Sequence, residues 1–163
     1  MVTFKWKDLA AIVFLILVIK LAIYYYPTME PYLSGNVYNA LVKNCDTKTV
    51  AEMQIENNSK EGLCAYYIGR SNCIDCRVAL GNTLELADLF SKEYENNMYY
   101  VRLKNNINES ERKYLDSIDV DNIPAIIIIY GGETHQFVYD DIMSKDYKKN
   151  FKKFVDDLTK KGD

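Results

Sequence analysis

At 163 residues the chain has room for one domain plus an appendage, and a hydrophobic share of 48% with mixed charge excludes a disordered chain. Its net charge of −3 is split unevenly: residues 1–26 carry Lys5, Lys7 and Lys20 against Asp8, a balance of +2, which leaves −5 for the remainder. An acidic domain whose lysines alternate with aspartates excludes a nucleic-acid footprint.

Residues 1–8 are a short basic leader. From Leu9 to Tyr26 there are eighteen residues with one charge, Lys20, nearly the length that spans a hydrocarbon core as a helix. Lys20 can snorkel toward the outer interface, and Trp6 and Tyr24-Tyr25-Tyr26 stand where amphipathic rings favour the headgroup level. The leader's lysines place the N-terminus in the cytoplasm and the rest outside. Two other readings compete. A cleaved signal peptide would use Leu9 to Ile19 as its apolar region, but no small-x-small cleavage site follows, and no cysteine follows closely enough for a lipid anchor. A helix buried in a soluble domain is disfavoured because the run is apolar on every face. The expectation is a single-pass cell-membrane anchor at 9–26 with an extracytoplasmic C-terminal domain. There no glutathione pool keeps thiols reduced.

Residues 27–46 read as a connector, broken by Pro27, Pro31, Ser34-Gly35-Asn36 and Lys43-Asn44; within it Val37 to Val42 fits a short helix or an edge strand. The domain is expected over 47–163. Asp46 or Thr47 can cap a helix over Thr49 to Glu56, with Val50, Met53 and Ile55 as inward candidates. Leu63 to Ile68 is a nearly continuous apolar run of central-strand type. A helix over Ile74 to Glu93 follows, carrying Val78, Leu84, Ala87 and Phe90, with Leu80, Leu86 and Leu89 flanking. Met98 to Leu103 is a second strand. Asn108 caps a helix to Ile118, with Glu109 and Glu111 in its first turn. Ala125 to Tyr130 is an isoleucine-rich strand, Gly131-Gly132 a hairpin turn, and Thr134 to Tyr139 the return strand. The last helix runs from about Ser144 to Lys160, with Tyr147, Phe151, Phe154, Val155 and Leu158 on one stripe. A β-α-β unit, an antiparallel hairpin and a closing helix imply an α/β fold with a mixed sheet and helices on both faces.

Cys73-Ile74-Asp75-Cys76 lies where the first core strand passes through Gly69-Arg70-Ser71-Asn72 into a helix. Two cysteines at that spacing can close a small disulfide ring. The unpaired N–H groups and the positive end of the helix dipole favour a thiolate on the first sulfur. Half of a zinc site is a weaker reading, because there is no second Cys-x-x-Cys and His135 is the single histidine. An inert structural disulfide seldom uses so short a ring at a strand-to-helix junction.

With that pair after the first core strand and Ile123-Pro124 opening the third, the chain resembles the thioredoxin fold. More narrowly, Tyr67-Ile68-Gly69-Arg70, then Cys73, Cys76 and Arg77, and Tyr99-Tyr100 in the next strand, resemble the bacteriocin transport accessory family of Gram-positive bacteria, thioredoxin-like proteins that are often membrane-tethered. The resemblance covers about residues 47–160. It implies that Cys73 is the exposed nucleophile, that Cys76 resolves the mixed disulfide, and that Pro124 is a cis-proline facing the pair, with the Ile123 backbone beside it available to a substrate peptide. It implies no cofactor and no metal. The partners expected are an exported cysteine-containing peptide or protein, with a bacteriocin as candidate client, and a redox partner that recycles the pair.

The sequence departs from thioredoxins at informative places. Asn72 stands where they carry Trp, Ile74-Asp75 replaces Gly-Pro between the cysteines, Tyr67 stands in place of a buried carboxylate that shuttles protons, and Gly81 replaces a helix-kinking proline. Asp75 between the sulfurs opposes a thiolate, while Arg70 and Arg77 favour one. Cys64 falls within a core strand and Cys45 before the first domain helix; a second disulfide between them is open at this level. His135 reads as a surface histidine. The function expected is extracytoplasmic thiol–disulfide exchange through Cys73 and Cys76, with a redox-inactive tethered binding module, or a reductant for another exported client, as the alternatives.

Overall fold

The computed structural model describes residues 14–24, 35–43, 45–59, 62–104 and 106–160. Helix α1 covers residues 14–24 and all its side chains are exposed, Phe14 and Tyr24 among the most open. Among the described residues no helix is long and apolar enough to cross a membrane. The leader at 1–8 and the remainder of the expected anchor at 9–26 lie outside the described residues.

Within the stretch expected as a connector, Gly35–Val42 is helix α2. Strand β1 follows at Thr47–Lys48, α3 at Val50–Ser59, β2 at Leu63–Gly69, α4 at Ile74–Tyr94 and β3 at Met98–Arg102. Then come α5 at Glu109–Ser117, β4 at Ala125–Tyr130, β5 at Glu133–Val138, the short α6 at Tyr139–Ile142 and α7 at Tyr147–Lys160. The five strands form one sheet in the order β1-β3-β2-β4-β5. β1, β3 and β2 run parallel; β4 is antiparallel to β2, and β5 to β4. The mixed sheet is as expected, with one strand more than the sequence reading. Thr47 and Lys48 lie in β1, so the cap of α3 is Thr49: its Oγ1 accepts from Glu52 N at 3.2 Å, and the Glu52 carboxylate accepts from Thr49 N at 2.7 Å. This reciprocal pair satisfies two otherwise orphaned donors. The same device, as expected, starts α5 at Asn108.

Side chains alternate across the central strands with period two, which builds two cores. Tyr67, Ile126 and Ile128 face α2, α4 and α7 in one; Tyr66, Ile68, Ile127 and Ile129 face α3 and α5 in the other. The buried face of α4 comprises Cys76, Ala79, Leu80, Thr83, Leu86 and Phe90: Phe90 is inward as expected, the flanking Leu80 and Leu86 join it, and Val78, Leu84 and Ala87 are only partly buried. Thr83 is tolerated on this face because its hydroxyl donates to Ala79 O at 2.9 Å, so a polar residue sits inside without an unmet bond. α7 buries Phe151 and Val155 as expected, whereas Ile55 of α3 is 67% exposed.

Candidate active site

The strand-to-helix junction sets the site. β2 ends at Gly69, and a turn through Ser71 and Asn72 brings Cys73 to the N-cap of α4, held by Cys73 N donating to Arg70 O at 3.3 Å. Its extended backbone, φ −93° and ψ 122°, turns the side chain back over the first helical turn, where Sγ accepts from Cys76 N at 3.2 Å. One of the orphaned donors of a helix start is thus aimed at the half-buried sulfur. The Ile123–Pro124 peptide bond is cis, and Ile123 O lies 3.7 Å from Cys73 Sγ as its acceptor. Pro124 itself is buried. Cys76, one turn on, is fully buried. All four cysteines are free thiols.

Burial, and next a hydrogen bond with Cys73, push the Cys76 thiol far above the ordinary thiol range; the Arg70 backbone and guanidinium pull the other way. Beneath Cys76 lies a cluster of tyrosines. Tyr67 donates to Cys76 O at 3.1 Å, Tyr38 donates to Tyr100 at 3.0 Å, and Tyr100 donates to Gly69 O at 3.2 Å. Burial, then the neighbouring Cys76 and Tyr67 respectively, raise the Tyr67 and Tyr38 phenols well above their usual range. These hydroxyls are therefore neutral donors, and none can act as the base that takes the Cys76 proton at neutral pH. Gly69 leaves room for these phenols: a Cβ at that position would meet Tyr38 Oη at 2.7 Å and Tyr67 Oη at 3.1 Å.

No family model and no curated protein matches the chain. Among solved structures, native tryparedoxin I from Crithidia fasciculata is 17% identical over 56% of this chain and 79% of its own, at a TM-score of 0.43. Oxidised thioredoxin O2 from Arabidopsis thaliana is 18% identical over 58% and 80%, at 0.42. Likenesses this distant carry nothing about activity or partners. The architecture here speaks for itself through strand order, the cysteine pair at the start of α4 and the cis-proline across from it. The fold is thioredoxin-like.

Within the thioredoxin-like domain, Arg70, Cys73, Cys76, Ile123 and Pro124 come together. Asp75 is exposed in the first turn of α4 and Arg77 is half-buried; neither side chain makes a hydrogen bond or ion pair to either cysteine. Cys45 packs against the α4 side of the sheet and Cys64 against the α3 side, so the sheet separates two thiols whose pairing the sequence left open. His135 is partly exposed, with Glu133 at 3.6 Å. Among the described residues no cluster of His, Cys, Asp and Glu could hold a metal. Sequence reasoning missed Tyr38 and Tyr100 as parts of the site. The cue available was Gly69 between the tyrosine-rich strands, a residue small enough to let phenols close over the backbone.

Proposed function

We propose that the protein is a thiol–disulfide oxidoreductase that exchanges disulfides with a client through Cys73 and Cys76. The observation that carries this reading is the position of Cys73 Sγ: half-buried at a helix N-cap, with a backbone donor aimed at it, 3.7 Å from the carbonyl preceding Pro124, and one turn from a buried second thiol. The Cys73 thiolate attacks one sulfur of a client cystine. That S–S bond breaks, a mixed disulfide forms, and the other client sulfur leaves as a thiolate. Cys76 then loses its proton and attacks Cys73 Sγ, which closes the Cys73–Cys76 disulfide and releases the second client thiolate. The client gains two electrons and the protein loses two; run in reverse, the same steps install a disulfide. Ile123 and Pro124 form the wall along which a client backbone would lie as an added strand. Arg70 assists the second step by favouring the Cys76 thiolate.

The site works outside the cytoplasm, tethered through residues 9–26. Support for this comes from the apolar run behind a basic leader and from the uncovered apolar side chains of α1. Its client is an exported cysteine-containing peptide or protein, for which the sequence resemblance favours a bacteriocin, and a separate redox partner recycles the pair. Cys76→Ser should trap a mixed disulfide with the client, visible on non-reducing gels and lost on reduction. Cys73→Ser should trap none and lose function. If Cys73→Ser keeps full function, the chain is a tethered binding module and the exchange reading is wrong.

A further inference from the structure

Beside the cysteine pair, the carboxyl ends of the three parallel strands β1, β3 and β2 open onto a cleft of about 820 Å³. Arg70, Arg102 and Lys104 line it, and Ser71 and Asn72, also on its wall, lead directly into Cys73. Arg102 stands opposite Gly69 in the β2–β3 register, which sets the Arg70 and Arg102 backbones side by side. Two carboxylates, Glu52 and Glu111, also line the cleft and offset part of its positive charge, but neither forms an ion pair with these three cations. Glu52 is engaged by the Thr49 backbone and hydroxyl, and Glu111 by Asn108 N at 3.1 Å. Lys48 is paired with Glu56. Among the described residues Arg70, Arg102 and Lys104 have no ion-pair partner, and Arg70 Nε is buried without an acceptor.

Three cations without ion-pair partners line one cleft of a domain that is acidic overall, and like charges near one another are unfavourable until an anion joins them. Guanidinium binds carboxylates in a two-pronged geometry, and Arg70 and Arg102 both line the cleft. On the exchange reading above, on which this inference rests, the ligand that reaches Cys73 is a peptide cystine. Asn72 of the cleft wall adjoins Cys73, so acidic groups close to the reacting cysteine in the client's sequence are the ones placed to meet the cleft.

We infer that this cleft selects clients that carry aspartate or glutamate beside the reacting cystine. Two synthetic cystine peptides of the same sequence, one with aspartates flanking the disulfide and one with asparagines, should separate the outcomes. Oxidation of the reduced protein by each is followed in stopped flow. The aspartate peptide should react roughly 10-fold faster at low salt, and its advantage should shrink in 0.5 M salt. In Arg102→Glu/Lys104→Glu, both at exposed positions, the ratio should fall to one or invert. Equal rates for the two peptides, or a preference that survives the double substitution, would overturn the cleft assignment and leave the exchange reading standing. Failure of the reduced protein to react even with hydroxyethyl disulfide would overturn the exchange reading and this inference together.

Discussion

Gly69 illustrates how one residue connects strand, core and site. It ends β2, accepts the Tyr100 hydroxyl on its carbonyl, and leaves room for Tyr38 and Tyr67 to approach beneath the cysteine pair. Gly69→Ala should cost about 1–3 kcal/mol of stability, because the added methyl meets the hydroxyl of a tyrosine that is only 1% exposed. The check is a double-mutant cycle in urea denaturation. In a Tyr38→Phe background the nearest obstruction is gone, so the same change should cost at least about 0.5 kcal/mol less. Purely additive costs would show that the contact does not determine the glycine. Tyr67 also explains why this site differs from one with a buried carboxylate: it orients the Cys76 carbonyl as a neutral donor and leaves proton removal to another group.

α4 is the element that positions the chemistry, and its construction is economical. It starts on a cysteine whose side chain takes the free N–H of Cys76, buries one face from Cys76 to Phe90, and is tied to α7 along its exposed side. Tyr94 donates to Asp156 at 2.8 Å, Lys148 pairs with Glu85 at 2.6 Å, and Lys152 pairs with Glu93. The two lysine pairs are exposed and contribute little each. Gly81 sits on the exposed face of this helix with nothing near an added Cβ. Its lack of a side chain therefore serves no packing, and Gly81→Ala should stabilise the protein by roughly 1 kcal/mol through helix propensity. A higher urea midpoint with an unchanged slope is the expected result. A lower midpoint would mean that the helix needs local give at this point.

For the whole molecule, the buried second thiol couples global stability to pH and redox state. The Cys76 thiol is raised in the folded protein, chiefly by burial, whereas in the unfolded chain it ionises near the ordinary value of about 8.5. Below that value the folded state's advantage is fully present. As pH rises from there toward the folded value the unfolded chain loses its proton first, so the contribution declines by up to about 1.4 kcal/mol per pH unit. The urea midpoint of the reduced wild type should therefore fall toward that of Cys76→Ala between pH 8 and 10. Formation of the Cys73–Cys76 disulfide removes the titrating thiol, so the oxidised protein should lack this slope. A reduced protein whose margin over Cys76→Ala is flat across that range would contradict the burial of the thiol.

Much of this protein was settled by local chemistry and is legible without coordinates. The apolar runs of β2 and β4, the cap at Asn108, the Gly131-Gly132 turn, the stripe on α7 and the cysteine spacing each depend on neighbours a few residues away. Distant segments had to meet before the rest was decided. β1 is two residues long, too short for any period, and exists through pairing with β3. α2 becomes part of the core because Tyr38 finds Tyr100 across 62 positions of chain. The inner face of α4 is set by packing against the sheet and α7, and the cleft beside Cys73 by strand ends that are far apart in sequence. Backbone pairing, hydrogen bonds between remote side chains and the sum of scattered charges are properties of the folded arrangement, and no window along the chain contains them.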